Sequence, residues 1–162
     1  EDSTQNTRQG WGLEVDAPSV QTTPATTGQP PTALLRIGGS GSMRNTGTIS
    51  NIRLGNTTIT GTVSLRNMSP AQAAVAIVQA INASSTRNTH RAYLGGDATT
   101  GVCANEPATT VCIVNVNATS NGAALTGTVS GENNVTFDKL DATSIIEGIP
   151  VTTTELSALP SA

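Results

Sequence analysis

Two cysteines, one histidine and a few carboxylates are the residues here whose side chains could do chemistry, and their spacing narrows what that chemistry is. Cys103 and Cys112 bracket Ala104-Asn105-Glu106-Pro107-Ala108-Thr109-Thr110-Val111. Two cysteines in a Pro-containing loop ahead of a strand fit a short-loop disulfide, with two free thiols as the alternative. On the loop-closure entropy account such a bridge contributes roughly 2–3 kcal/mol. It would also place the chain in an oxidising compartment. The spacing excludes a C-x-x-C redox pair, and a metal site needs more ligands than His90 and two cysteines supply.

His90 stands between Thr89 and Arg91. A triad needs a nucleophile and an orienting acid in contact with the imidazole, and no G-x-S-x-G elbow occurs. A surface-loop histidine is expected. Asp138 and Asp141, with Glu147 beyond, form the one acidic cluster. Paired carboxylates serve as acid and base or bind Ca²⁺, but EF-hand spacing is missing and solvated surface is the plainer expectation. Gly38-Gly39-Ser40-Gly41-Ser42 shares only its glycines with a phosphate loop, because the Lys-Ser/Thr ending and the following helix are lacking; it reads as a flexible loop. Asn56, Asn67, Asn82, Asn117 and Asn134 each begin Asn-x-Ser/Thr, a pattern that arises by chance in a chain this rich in these residues. No catalytic residue, cofactor or metal is expected.

Composition points the same way. Charged residues are 12% and aromatic residues 2% of 162 residues, Lys139 is the single lysine, and there are 27 Thr. Eight basic residues against a net charge of −3 leave no electrostatic footprint for nucleic acid. The longest apolar run is far short of a membrane span, so no membrane insertion is expected. Disorder is countered by abundant Val, Ile and Thr, which pack well on a pleated surface. Thr on a solvent face keeps a strand soluble without charge. The chain begins Glu1-Asp2-Ser3, which fits either a processed chain or a segment of a longer one.

These residues must be positioned by a mainly β body. Leu34-Leu35-Arg36-Ile37 reads as a strand. In 49–54 alternation puts Ile52 and Leu54 on one face, opposite Ile49. Gly55-Asn56 is a two-residue hairpin signal with Gly first, as a type II′ turn prefers, and the return strand runs Thr57–Leu65. A helix is expected over about 69–83. Ser69 is its N-cap, Pro70 its first residue and Gln72 completes a capping box, with Ala74, Ile77, Val78 and Ile81 on one stripe. Strands follow at 91–94, 111–117 and 125–129, with Val135–Phe137 at an edge. Residues 1–33, with four Pro between 18 and 31, read as an extended arm, and 141–162 as an extended tail. The expected fold is α+β, mainly β: an antiparallel sheet with one packed helix, the body spanning 34–140.

One stretch carries a resemblance. Residues 47–129 run Gly47-Thr48-Ile49-Ser50-Asn51-Ile52-Arg53-Leu54-Gly55, a Thr-rich return strand, then the Ala-rich helix with Ala76, Ile77, Ala80, Ile81 and Asn82, then strands and Asn121-Gly122. This order resembles a small module of bacteriophage tail and fibre proteins, and is similar to modules of type IV pilus tip adhesins and flagellin variable-region insertions. The resemblance implies a surface-displayed, non-catalytic module and carries over no catalytic residue. The expected function is therefore a structural component of a phage virion, in its tail, tip or fibre. The alternative is a secreted bacterial or archaeal filament subunit or adhesin. A carbohydrate-binding or hydrolytic module is disfavoured, because sugar platforms need aromatics. Partners would be copies of this chain, other virion or filament proteins, or a host-surface receptor. Trp11, Ile145, Ile146 and Val151 are the expected assembly contacts, with the chain on a virion, outside the cell or at its surface.

Overall fold

The computed structural model describes residues 30–117 and 121–144. Its elements, in chain order, are β1 (Thr32–Gly39), β2 (Thr48–Leu54), β3 (Thr57–Thr58), β4 (Thr62–Ser64), α1 (Pro70–Asn82), β5 (His90–Leu94), α2 (Gly101–Ala104), β6 (Thr110–Asn115), β7 (Leu125–Ser130) and β8 (Val135–Thr143). The fold is α+β and mainly β, as expected, with every strand pair antiparallel. Two sheets form where one was expected. The first has the order β5-β6-β1-β8; the second centres on β2, with β3 and β4 along one edge and β7 along the other.

α1 starts where the local chemistry dictates. Ser69 Oγ accepts the Gln72 backbone N–H at 3.3 Å and the Ser69 N–H donates to Gln72 Oε1 at 3.0 Å, while Pro70 sits where no intrahelical N–H is needed. Ala73, Ala74, Ile77 and Ile81 are buried, and Val75 on the opposite side is exposed. The helix packs chiefly on β5, and also on β1, β6 and β4. One apolar core joins it to both sheets: Ala33, Leu35, Ile37, Val111 and Ile113 from the first, Ile49, Ile52, Leu54 and Leu125 from the second.

β2 departs from simple alternation. Asn51 takes a left-handed backbone (φ 54°), and Asn51 and Ile52 together face Gly127 of β7, so the register slips by one between Ser50 and Arg53. This bulge turns the pleat over, and Ile49 joins Ile52 and Leu54 in the core rather than opposing them. The slip is shared with the other edge. The return strand expected over 57–65 is split into β3 and β4, with the Ile59 and Thr60 N–H groups both donating to the Ile52 carbonyl. The Gly55-Asn56 hairpin forms as expected: Leu54 pairs with Thr57, and only Gly55 of the two turn residues has positive φ.

The glycine-rich stretch 38–42 is not a flexible loop. Gly39 has φ 105°, and a Cβ there would collide with the Asn134 carbonyl; one at Gly41 would collide with that of Asn133. The Gly41 N–H donates to Asn134 O at 3.2 Å, so the glycines allow one backbone to press against another. β8 is longer than the Val135–Phe137 edge segment and runs into the expected tail, ending at Thr143. It is an edge strand of the first sheet.

The opposite edge, β5, is closed. The side-chain amide of Asn82, the last residue of α1, donates to Ala92 O at 2.9 Å and accepts the Ala92 N–H at 2.8 Å. One side chain thus imitates a neighbouring strand and blocks further pairing. Asn82→Ala should lower stability by about 1–3 kcal/mol, two hydrogen bonds' worth, as read from the urea midpoint. Asn82→Asp, which keeps only an acceptor, should be no better. A midpoint unmoved in both would show that the bracket contributes nothing.

Candidate functional site

The polar chemistry gathers on the outer face of the first sheet, where the segment from Gly95 to Thr109 folds back over β1 and β6. Alternation on β1 sends Leu35 and Ile37 into the core and leaves Leu34 and Arg36 outward. Leu34 would be exposed there without cover. It is instead only 5% exposed, packed with Cys103 and Cys112 and flanked by Tyr93, Val102 and Leu140.

The covering segment is fastened at several points. Cys103 in α2 and Cys112 in β6 form the expected disulfide, with Cα atoms 5.8 Å apart and both residues fully buried. α2 itself, a single turn, was not expected. Its N-cap Thr100 accepts the Cys103 N–H at 3.2 Å, and the buried Thr32 hydroxyl of β1 lies 3.0 Å from Thr100 Oγ1. At the other end of the segment, Arg36 grips Glu106 bidentately, Nε to Oε1 at 2.9 Å and Nη2 to Oε2 at 2.8 Å. Thr110 Oγ1 donates to the same carboxylate at 3.2 Å. The Arg36 guanidinium holds the Glu106 carboxyl below its ordinary range, helped by Thr110, while desolvation opposes. The Glu106 side chain is 11% exposed and that of Arg36 46%. Neither ion-pair partner was singled out in the sequence. They are 70 residues apart, and the one available signal was an arginine inside an apolar run.

Beside this pair runs an open groove lined by Arg36, Gly38, Pro107, Thr109, Thr136 and Asp138. Its charged groups already serve one another. Asp138 of β8 faces Arg36 across the β1–β8 ladder and adds to the field that raises the Arg36 pKa, behind the larger effect of Glu106. The acidic cluster expected from sequence does not assemble as a pair. Asp141 turns away to accept the Leu125 N–H at 3.2 Å, and Glu147 lies outside the described residues. Among the described residues no group of three or more His, Cys, Asp or Glu could hold a metal ion, and no helix is long and apolar enough to cross a membrane.

His90 is not a surface residue. It opens β5, is 3% exposed, and sits at the core side of the sheet rather than near the groove. Burial was invisible in sequence because it depends on tertiary packing around β5, the strand on which α1 chiefly rests. Of the Asn-x-Ser/Thr asparagines, Asn82 is occupied by its bracket, and Asn67 and Asn134 use left-handed backbones in turns. Trp11, Ile145, Ile146 and Val151, the expected assembly contacts, lie outside the described residues.

The arrangement therefore works mechanically: a disulfide and an ion pair clamp a cover over the outer face of β1. Replacing both cysteines by Ala should lower stability by about 2–5 kcal/mol, measured by denaturant unfolding. Glu106→Gln should unfold more easily than the parent at neutral pH. Because the Glu106 pKa is depressed in the folded state, its contribution is present above the unfolded value of about 4.3 and is lost as the pH falls through the folded value. The gap between the two proteins should close on that acid limb; a pH-independent gap would mean that the carboxylate charge is irrelevant.

No protein-family model, curated protein or solved structure matches this chain.

Proposed function

We propose that this chain is a non-catalytic structural subunit of a phage virion, in its tail, tip or fibre, assembling through its terminal segments, 1–29 and 145–162. The observation that supports this most is where the body ends. Thr32, the first residue of β1, pairs with Thr143, the last of β8. The two flanking segments, 1–29 and 145–162, therefore connect to the body at neighbouring points on one end of the sheet. Beside that point lies β8, whose outer edge has no strand partner among the described residues. Only Ala142 is engaged there, by backbone bonds with Gly122 and Ala123. The other sheet edge is closed by Asn82. Of the two edges of the first sheet, β8 is thus the one left to a neighbouring subunit among the described residues, and an unpaired edge of this kind is what strand addition uses.

The resemblance of residues 47–129 to phage tail and fibre modules supports the same reading. The buried disulfide favours a second one, an exported filament subunit or adhesin with the same mode of assembly, since such bridges persist in oxidising compartments. Both make the terminal segments the adhesive parts.

Light scattering coupled to size-exclusion chromatography tests this. The full chain should form oligomers, and chains lacking residues 1–29 or 145–162 should shift toward the monomer while keeping their far-UV signature. A full chain that is monomeric at every concentration, or truncations that assemble unchanged, would overturn assembly through these segments.

A further inference from the structure

We propose that His90 is an acid-sensitive latch: taking up a proton at Nε2 loosens the start of β5 and with it the closed edge of the sheet. The argument begins with the hydrogen bonds. The Thr89 hydroxyl donates its one proton to Thr86 O at 3.1 Å, so the contact between Thr89 Oγ1 and His90 Nδ1 at 2.8 Å needs its proton from the ring. That network assigns the neutral tautomer with hydrogen on Nδ1 and leaves Nε2 bare. Nε2 is buried and has no hydrogen-bond partner among the described residues. A proton arriving there creates a charged N–H with no acceptor among the described residues, on a residue that is only 3% exposed.

Among the described residues, the elements packed around it offer no counter-charge. α1, packed on β5, carries no charged residue from Pro70 to Asn82. β6, whose Asn115 is the register partner of His90, carries none from Thr110 to Asn115. The turn before β5 supplies Arg87 and β5 itself supplies Arg91, both cations, bonded to the carbonyls of Ser84 and Arg87. There is no Asp or Glu anywhere from Pro70 to Gly96. Consistently, burial alone pushes the His90 pKa down.

The sign follows. The neutral ring is favoured in the folded chain, so its contribution is intact above the unfolded value of about 6.5. It is lost as the pH falls through the lower folded value. The loss is local, because His90 opens the strand whose Ala92 is bracketed by Asn82, and Thr89 O accepts the Val116 N–H at the end of β6. Loosening this corner frees the backbone groups of Ala92, the edge that is closed at neutral pH.

The test is residue-resolved amide exchange and ring-proton NMR on the full chain between pH 7.5 and 5. The His90 ring should titrate below 6.5, and protection factors of amides 89–92 should fall several-fold toward pH 5 while those of β1 hold. In His90→Gln the protection factors should be flat with pH; His90→Phe, which keeps ring volume, serves the same end should Gln prevent folding. A ring that titrates at or above 6.5, or a loss of protection that persists in both variants, would overturn the latch.

Discussion

β1 is buried on both faces, and the rest of the body is arranged to meet that demand. Its odd positions, Ala33, Leu35 and Ile37, feed the core shared with α1 and the second sheet; its even positions Thr32 and Leu34 point the other way and are buried as well. A sheet wet on one side would alternate apolar and polar residues along this strand. Thr-Ala-Leu-Leu does not, so something must roof the outer face. A loop of ordinary composition cannot do so unaided, because its own backbone groups and conformational freedom oppose being pinned there. The disulfide, the Thr32–Thr100 contact and the Arg36–Glu106 pair together overcome that, each fixing a different part of the same segment.

The same demand explains why the charged groups of the groove are not free for chemistry. Arg36 is the first outward side chain past the roofed part of β1, and its fork is spent on Glu106, with Asp138 adjacent. A half-exposed ion pair such as this one contributes only modestly to stability. What this one supplies is position: a planar bidentate grip sets the end of the cover against the strand. The covalent bond carries the energetic share, while the ion pair defines where Glu106, Pro107 and the following strand begin.

Much of this architecture was legible locally. The capping box at Ser69 and Gln72, the Gly55-Asn56 hairpin and the nine-residue separation of the cysteines are decided by neighbours close in sequence, and each formed as read. The misreadings share a cause: each depends on a distant partner. The bulge at Asn51 exists because β7 offers one residue against two, and it reverses the parity that alternation assigned to Ile49. β8 runs past the expected Val135–Phe137 through Asp138, Lys139 and Asp141, and charge is what an edge strand tolerates and uses against uncontrolled pairing. The glycines at 39 and 41 looked like slack; they permit contact with a loop more than ninety positions away. The burial of His90 and the Asn82 bracket leave no signature in composition or period, and the Arg36–Glu106 pair leaves only an arginine inside an apolar run.

Among the described residues the core has no fully buried aromatic; its largest fully buried side chains are Leu, Ile and Met. Such side chains supply apolar area but little directional preference, so uniqueness of packing falls to polar devices that tolerate one geometry only: the Asn51 bulge, the Asn82 amide, the paired Thr hydroxyls. The surface follows the same economy of charge. A Thr-rich strand face sheds its water at lower cost than a lysine- or glutamate-rich one, because a hydroxyl needs a single hydrogen bond where an ion needs a counter-charge as well. A body of this kind loses little when a neighbour covers it. That property joins the composition to the proposed assembly: low charge would make burial by another subunit cheap, and the β5 edge, closed by Asn82, would not take part in it.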